Sequence, residues 1–522
     1  MTTSPSLIVF HGTFIHLPRL PAEPATPSTP PKHVLEIRRG ALWVRTVDGR
    51  IEGFEWGVEG EEELGALMGR MGWREEGRQG DNDDDDNDTE GVRVRIVRGR
   101  KGRNGFFFPG FVDTHIHAPQ YPNSGIFGSS TLLDWLKTYT FPLESSFSSS
   151  PSSPTTPPPI AHNVYNRVVR RTLAHGTTCA AYFATIHVPA TNLLADICHT
   201  RGQRALIGRV CMDNPSTCPD HYIDSSPSSS LAATRATIAH ITTLDPSHTL
   251  LKPIITPRFA PSCTPPLLSS LGALAAETSP PTHIQTHISE NTSEVSLVAR
   301  LFPSHDSYTH VYDSAGLLTR RTVLAHAIHL SASEREIIAS RGAGVAHCPV
   351  SNSAIGSGLC EVRELLDSGI SVGLGTDVSG GYSSSLMEVV RQTCLVSRLV
   401  AYRAHEEGGG KGSVEGGADR RKISVEEALW LATRGGAKVL DMEGEIGGFE
   451  KGMWWDAMYV ELTGEEDEGE QEEGGRLGNV EVFGWESREE WIAKWVWCGD
   501  DRNVKAVWVG GRIVHGRVER DL

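Results

Sequence analysis

The feature that most constrains the fold is an alternation of short apolar runs with amphipathic stretches between residues 109 and 443. The runs are five to seven residues long and rich in β-branched residues, which is typical of buried strands. The stretches between them carry helical periodicity; Val164, Val168 and Leu173, for example, form an apolar stripe that ends at Gly176. Eight runs are found: Gly110–Ile116, Thr177–Phe183, Ala205–Cys211, Lys252–Pro257, Thr282–His287, Thr322–His326, Gly344–Cys348 and Ile370–Gly375.

Strands that alternate with helices form a parallel sheet, because each helix returns the chain to the edge where the next strand begins. Eight repeats over about 250–350 residues predict an α/β fold, a closed (β/α)8 barrel of the TIM type. A doubly wound sheet is the structural alternative, but no G-x-G-x-x-G motif follows the first run. We therefore expect residues 109–443 to form a catalytic barrel.

The two flanks of this region have a different composition. Ten of the 12 tryptophans lie there, and strand-like alternation recurs at Ala41–Thr46, Val92–Val97 and Val504–Val509. Large aromatic side chains at alternating positions are typical of the packed interior of a sheet. We expect residues 1–108 and 444–522 to form one small β domain jointly, with the tryptophans in its core.

Four segments have the composition of inserted surface loops: the proline-rich Leu17–Lys32, the Ser/Pro-rich Ser145–Pro159, and the acidic Glu75–Glu90 and Glu465–Glu473. The two acidic runs carry −8 and −7 of the formal charge of −16, so the rest of the chain is nearly neutral. An acid excess argues against binding to nucleic acid or to an anionic membrane, since both require a basic face.

The compartment is indicated by what the sequence lacks. No run of about 18 apolar residues predicts a transmembrane helix, and Met1–Phe10 has no basic segment of the kind that opens a signal peptide. Nine cysteines are scattered from Cys179 to Cys498 without a C-x-x-C pair, which fits neither a disulfide framework nor a zinc finger. We expect a cytoplasmic protein.

The ends of the predicted strands carry the candidate chemistry, because catalytic groups in such a barrel emerge at the C-terminal ends of its strands. The first run ends in Asp113-Thr114-His115-Ile116-His117, and residues two apart on a strand face the same side. The other polar residues at or just after strand ends are His287, Glu290, His326 and Asp377. Imidazoles and carboxylates together favour a divalent metal, zinc first, with iron as the alternative.

An isolated H-x-H is a weak signal in a chain with 21 histidines. Polar residues at the ends of four separate strands are much harder to explain by packing, because His, Asp and Glu are costly to bury without partners. Their joint occurrence therefore favours a metal site over a structural role.

The same residues lie in motifs that resemble those of the amidohydrolase superfamily of metal-dependent barrel hydrolases: PGFVDTHIH (109–117), HISEN (287–291), HCPVSN (347–352) and GLGTD (373–377). Longer stretches resemble the guanine deaminases within that superfamily. These are HIHAPQY (115–121), WLKTYTFPLE (135–144), VVRRTLAHGTT (168–178), YFATIH (182–187), VCMDN (210–214), TPRF (256–259), HIQTHISEN (283–291), GLGTDVSGGYS (373–383) and GDDRNV (499–504).

This resemblance implies a role for each matching position. The zinc ligands would be His115, His117, His287 and Asp377. Glu290 resembles the proton shuttle, and His326 resembles the histidine that hydrogen-bonds the attacking water or the tetrahedral adduct; with Asp377 they form the implied catalytic set. The implied substrate-binding residues are Gln120, Arg258, Phe259, His287 and Asp377.

The chemistry of two of these side chains suits such a task. The guanidinium of Arg258 offers paired planar donors that suit the ring carbonyl of guanine, an oxygen that adenine lacks. Gln120 could supply a donor and an acceptor to the ring edge. Two-metal relatives carry a carboxylated lysine at the end of strand four. Here that strand ends in TPRF and Lys252 lies at its start, so we expect one zinc ion per subunit.

The resemblance implies hydrolysis of guanine to xanthine and ammonia, a step of purine catabolism, by a homodimer. One alternative is a related enzyme that deaminates another aminated heterocycle, such as an adenosyl compound or a triazine. The alternative of another class is a catalytically inactive barrel that acts as a scaffold; such a barrel usually loses metal ligands, whereas all four are present here. His347 is expected to be structural.

Overall fold

The computed structural model describes residues 6–19, 32–76, 91–99, 104–406, 419–462 and 479–516. The acidic segment Glu465–Glu473 lies outside these residues, as do most of Leu17–Lys32 and Glu75–Glu90. The Ser/Pro segment Ser145–Pro159 lies inside them and forms mostly exposed turns between two helices.

The strands of the described residues are β1 (Leu7–His16), β2 (Glu36–Arg45), β3 (Ile51–Trp56), β4 (Trp73–Glu75), β5 (Val92–Arg98), β6 (Phe106–Pro109), β7 (Phe111–His117), β8 (Thr177–Phe183), β9 (Arg204–Gly208), β10 (Val210–Cys211), β11 (Leu251–Pro257), β12 (His283–Ile288), β13 (Thr322–His326), β14 (Gly344–His347), β15 (Ser371–Leu374), β16 (Ala457–Val460), β17 (Val504–Val509) and β18 (Arg512–Gly516).

The α-helices of the same residues are α1 (Glu61–Met71), α2 (Leu132–Trp135), α3 (Phe141–Ser145), α4 (Pro159–Ala174), α5 (Val188–Arg201), α6 (Pro227–Leu244), α7 (Pro265–Ala275), α8 (Thr292–Leu301), α9 (Tyr308–Ser314), α10 (Ala332–Arg341), α11 (Pro349–Ala354), α12 (Val362–Asp367), α13 (Leu386–Glu406), α14 (Val425–Trp430), α15 (Gly436–Val439) and α16 (Arg488–Cys498). A π-helical turn, Leu136–Thr140, joins α2 to α3.

The central unit, Phe111–Glu443, is built on a parallel sheet in the order β15-β14-β13-β12-β11-β9-β8-β7, with β10 also paired to β11. Successive strands are neighbours along the whole order because helices connect them on the outside of the sheet. The two outer strands approach each other, since the amide of Asp377 donates to the carbonyl of His115 (2.8 Å) and that of His117 to the carbonyl of Val378 (3.1 Å). These bonds nearly close a barrel of eight parallel strands, which confirms the predicted fold.

Strand boundaries follow the predicted runs closely, and Thr177–Phe183 and Thr322–His326 agree at both ends. The third run differs, because the predicted Ala205–Cys211 is divided into β9 and β10. Arg209 interrupts it: the buried guanidinium pairs with Asp224 and donates to the carbonyl of Ile186. A buried guanidinium has to be paired, and these contacts hold Arg209 at the point where the strand is divided.

The terminal segments form the second unit, with Met1–Ala22, His33–Gly110 and Gly444–Leu522. Its mixed sheet has the order β18-β17-β16-β6-β1-β2-β3, with β5 paired to both β1 and β4. Strands from both ends of the chain therefore share one sheet, as expected. Its core holds Trp455, which is 0% exposed, among Phe10, Phe107 and Tyr459.

Two general properties of the described residues complete the description. Among their helices, none has the length and hydrophobicity that crossing a bilayer requires. All nine cysteines lie in the described part of the chain as free thiols, and eight of them are buried.

Candidate active site

Four side chains converge at the C-terminal end of the barrel strands. His115 and His117 lie at the end of β7, His287 near the end of β12, and Asp377 three residues after β15. One ligand atom from each lies within 4.8 Å of the other three. The Nε2 atoms of His115 and His117 are 3.1 Å and 3.5 Å from Oδ1 of Asp377. The four residues predicted as metal ligands are therefore brought together.

The hydrogen bonds of this group fit a cation at its centre. Nδ1 of His287 donates to the backbone carbonyl of Arg258 (2.6 Å), so its Nε2 presents a lone pair. That Nε2 is 3.1 Å from Nε2 of His117, so both ring nitrogens are close enough to reach one ion. Nε2 of His115 is buried without a hydrogen-bond donor, which fits the same conclusion.

Burial and charge set the protonation of the ligand group. Burial lowers the pKa of His117 and of His287 well below the ordinary value, which keeps both imidazoles neutral. Burial alone would raise the pKa of Asp377, but the adjacent imidazoles, His115 foremost, hold it well below the usual range. Neutral imidazoles and an ionised carboxylate are the forms that bind a divalent metal.

Glu290 and His326 lie beside the ligand group as a second functional pair. Their facing atoms, Oε2 and Nε2, are 3.4 Å apart, and Nε2 of His326 is 3.7 Å from Oδ2 of Asp377. Burial raises the pKa of Glu290 to about 7, against the opposing effect of His326. Burial would lower the pKa of His326, but Glu290 and Asp377 together raise it. A proton can therefore reside on either group near neutral pH.

Two polar residues fix the orientation of this pair. Nδ1 of His326 contacts Oδ1 of Asn352 (2.9 Å), and Oγ of Ser357 donates to Oε1 of Glu290 (2.9 Å). The sequence reasoning did not assign either residue. His326 and Asp377 also have positive φ angles, 72° and 46°, in a region that non-glycine residues rarely occupy. Such conformations are kept where the surrounding contacts over-determine them, as they do at this site.

A pocket opens onto the ligand group. Its polar lining includes Gln120, Arg258, Glu290, His326 and Asp377. Its apolar lining includes Leu132, Trp135, Leu136, Phe259 and Ile355. A partly apolar pocket with a small number of polar groups is suited to a small heterocyclic ligand.

Comparison with known proteins places the chain in a family. A model of the amidohydrolase family matches residues 106–514. A probable guanine deaminase of Schizosaccharomyces pombe is 49% identical over 414 residues, covering 79% of this chain and 72% of that protein. The guanine deaminase of Homo sapiens is 41% identical over 409 residues, 78% of this chain and 83% of that one. The chain belongs to the guanine deaminases of the amidohydrolase family.

Solved structures agree with this placement. The guanine deaminase of C. acetobutylicum, solved with guanine in its active site, superposes with a TM-score of 0.74 at 29% identity, covering 98% of this chain and 100% of that one. A triazine hydrolase superposes with a TM-score of 0.70 at 17% identity, which shows a shared fold alone. As a guanine deaminase family member, the chain is a hydrolase of carbon–nitrogen bonds in a metal-dependent family, and its four converging ligands fit that requirement.

Two of the expected purine-binding residues, Gln120 and Arg258, share one partner, Glu144, which sequence reasoning missed. Nε2 of Gln120 and a guanidinium nitrogen of Arg258 each donate to its carboxylate, both at 2.7 Å. Phe259 lines the same pocket as Gln120 and Arg258. Two signals in the sequence could have pointed to Glu144. A buried arginine requires a counterion, and Glu144 lies in the stretch 135–144 that resembles the family.

Two residues discussed above as potential metal-binding groups, His347 and Lys252, are not members of the ligand group. His347 ends β14 fully buried, and burial lowers its pKa to about 3. Lys252 is near the start of β11, where its Nζ donates to the carbonyl of His248 (3.0 Å). The barrel end of β11 therefore presents Arg258 and not a lysine.

Proposed function

We propose that the protein hydrolyses guanine to xanthine and ammonia with one bound zinc ion, as a step of purine catabolism. The observation that carries the proposal is the convergence on one pocket of a four-ligand metal group, a buried carboxyl group with a raised pKa, and the Gln120–Arg258 pair. Each of the three parts serves one requirement of the reaction: a nucleophile, a proton donor and recognition of the base.

Three imidazoles and one carboxylate form a ligand set that suits zinc and leaves a position for water. When bound, the ion would supply a coordinated water of lowered pKa as the nucleophile for the carbon that bears the amine. Oδ1 of Asp377 faces the imidazoles, whereas Oδ2 lies 3.7 Å from His326. Oδ2 is thus available to accept the proton that the water loses.

Glu290 delivers protons to the base. In its protonated form it donates to the ring nitrogen next to the attacked carbon, and as a carboxylate it then takes the hydroxyl proton of the adduct and passes it to the amine, which leaves as ammonia. The proton that Asp377 accepted from the water returns to Glu290 by way of His326, which lies 3.7 Å from Asp377 and 3.4 Å from Glu290. His326 donates from Nε2 to the oxygen that is added at that carbon. Once Glu290 has given its proton to the ring nitrogen, its carboxylate raises the pKa of His326, and an imidazolium can then donate from Nδ1 to Asn352 and from Nε2 to the added oxygen at once.

Turnover measurements test the proposal. We expect the zinc-loaded protein to convert guanine to equal amounts of xanthine and ammonia, and to act poorly on adenine, cytosine, S-adenosylhomocysteine and an aminotriazine. Adenine lacks the ring carbonyl and would leave Arg258 unpaired in the pocket, which costs binding energy. Folded, metal-loaded protein that does not convert guanine would contradict the proposal.

We also propose a homodimer in the cytoplasm. A reducing compartment is supported by the nine free cysteines, since secreted proteins commonly oxidise theirs. Association is supported by an apolar stripe on α13, where Leu395, Leu399 and Tyr402 are 41%, 54% and 64% exposed. Spacings of four and three residues put these side chains on one face of the helix, and contiguous exposed apolar surface is typical of an interface.

Replacing Leu399 with Glu is expected to convert the dimer to a monomer, because a charge would be buried without a partner in the interface. Light scattering behind size-exclusion chromatography measures the mass. The matched control is Val47→Glu, a residue that is 88% exposed in the other unit and should leave the mass unchanged. A wild-type protein that is monomeric at micromolar concentration would contradict the dimer.

A further inference from the structure

Glu144, at the C-terminal end of α3, is a carboxylate with an exposed fraction of 0%. Its Oε1 accepts from Nε2 of Gln120 (2.7 Å). Its Oε2 accepts from a guanidinium nitrogen of Arg258 (2.7 Å) and from the hydroxyl of Tyr222 (2.6 Å). Burial raises the pKa of Tyr222 well above its ordinary value, so the phenol keeps the proton that it donates. Glu144 thus accepts hydrogen bonds from two side chains that line the pocket, Gln120 and Arg258, and from a third next to it, Tyr222.

The contact with Glu144 determines which way the Gln120 amide faces. A carboxylate accepts hydrogen bonds, so the atom next to it is the amide nitrogen. The other end agrees, because Oε1 of Gln120 accepts from the backbone amide of Ser379 (3.3 Å). With both ends fixed, the amide still has one N–H to donate and one lone pair to offer to a molecule in the pocket.

Glu144 fixes the guanidinium of Arg258 in the same way. It binds one of the two terminal nitrogens, and the guanidinium carbon lies 5.2 Å from the centre of the Phe141 ring. The carboxylate also compensates the charge of Arg258, which keeps the guanidinium ionised in spite of its burial. The remaining N–H groups of Arg258 can then donate to a neutral carbonyl.

We propose that Glu144 is the positioning residue that makes this pocket selective for 6-oxopurines, an inference that rests on the proposed function. By holding both side chains, it leaves donors for the C6 carbonyl and an acceptor for the adjacent N1–H. Without Glu144 the Gln120 amide could turn over, and the Arg258 guanidinium would turn toward another acceptor. A purine that lacks the C6 oxygen uses neither of these groups and should not depend on Glu144.

The test compares guanine with 2-aminopurine, which carries the same reacting amine but has neither the C6 oxygen nor N1–H. For Glu144→Gln we expect kcat/KM for guanine to fall about 100-fold, because buried polar groups are left misdirected. The inhibition constant of 2-aminopurine against guanine turnover should change by less than about threefold, since it loses no hydrogen bond. Metal content should stay at the wild-type level.

A matched control is Glu427→Gln, which alters another buried carboxylate that pairs with an arginine, Arg363, at 2.6 Å and does not line the pocket. This control should leave the ratio of the two purine constants unchanged. A milder variant, Tyr222→Phe, keeps the charge and removes one hydrogen bond to Glu144. It should lower kcat/KM for guanine about 2- to 10-fold and leave the inhibition constant of 2-aminopurine unchanged. This variant provides the test if Glu144→Gln does not fold.

The outcomes distinguish a positioning role of Glu144 from a merely structural one. Equal losses for guanine and 2-aminopurine would mean that Glu144 merely neutralises a buried charge, and they would overturn the inference. Unchanged guanine kinetics would overturn it as well. If wild-type protein does not convert guanine, the proposed function itself fails, whereas normal wild-type turnover with an unselective loss in the variant refutes only the role of Glu144.

Discussion

Glu290→Gln should retain its metal and lose about 10³-fold in kcat for guanine, within the range that a positioned general acid or base contributes. The amide has nearly the shape of the carboxyl group and can still accept from Ser357, whose hydroxyl lies 2.9 Å from Oε1 of Glu290. It cannot release a proton to the ring nitrogen or to the departing amine. Turnover measured by xanthine formation, with zinc content measured by elemental analysis, separates chemistry from metal loss.

The pH profile gives a second readout for the same variant. Burial raises the pKa of Glu290 to about 7, so the carboxyl group holds its proton below that pH and loses it above. Because the protonated form is the donor, wild-type kcat/KM should decline as the pH rises beyond about 7. Glu290→Gln should lack this decline.

Glu427→Gln again serves as the control, since the same substitution at a buried arginine partner outside the pocket should leave guanine turnover near the wild-type rate. Near-native turnover in Glu290→Gln would contradict the proton-transfer role. If Glu290→Gln instead loses its metal, Glu290 belongs to the metal-binding group.

The second large effect concerns the metal. Exhaustive chelation should reduce guanine turnover by at least about 10³-fold, and stoichiometric zinc should restore it, because the proposed reaction requires a metal to activate the attacking water. Substituting one of the proposed metal ligands should also reduce guanine turnover, and added zinc should not restore it. For His287→Gln we expect little bound metal and turnover at the level of the chelated protein.

One strand provides the matched control. His283 lies on β12 four residues before His287, is also buried, and contacts the carbonyl of Leu440 through Nε2 (3.0 Å). His283→Gln should keep the metal and most of the activity, because it alters the opposite end of the strand from the ligands. Chelated protein that still turns over guanine, or His287→Gln with full metal content, would refute the proposed centre.

Much of the fold followed from local pattern. A run such as Thr322–His326 is apolar, bounded by turns and fully buried, so its strand could be predicted to the residue. The convergence of the four candidate ligands was predictable for a related reason, because polar residues at the ends of buried strands are costly unless they bind something there. The third strand was mispredicted as continuous; the break falls at Arg209, whose buried ion pair with Asp224 the local pattern does not reveal.

The parts of the site that sequence reasoning did not find are contacts between distant segments. Glu144 is 114 residues from Arg258, and Ser357 is 67 residues from Glu290. Neither has a periodic pattern or a strand end to mark it, and each acquires its role from the three-dimensional fold. Such partners become evident once the fold is known, because every buried charge and every catalytic group has to be satisfied by some neighbour.

Arg258 links two halves of the site, since its carbonyl accepts from His287 while its side chain bonds to Glu144. This double attachment limits how the enzyme can be re-engineered for another base. An exchange of the Arg258 side chain leaves the carbonyl in place and should spare the metal. An insertion or deletion in the turn after β11 would move both the carbonyl and the side chain of Arg258, and would disturb the metal group as well as the base-binding pocket. Specificity is therefore best altered by exchanging side chains, without changing the length of that loop.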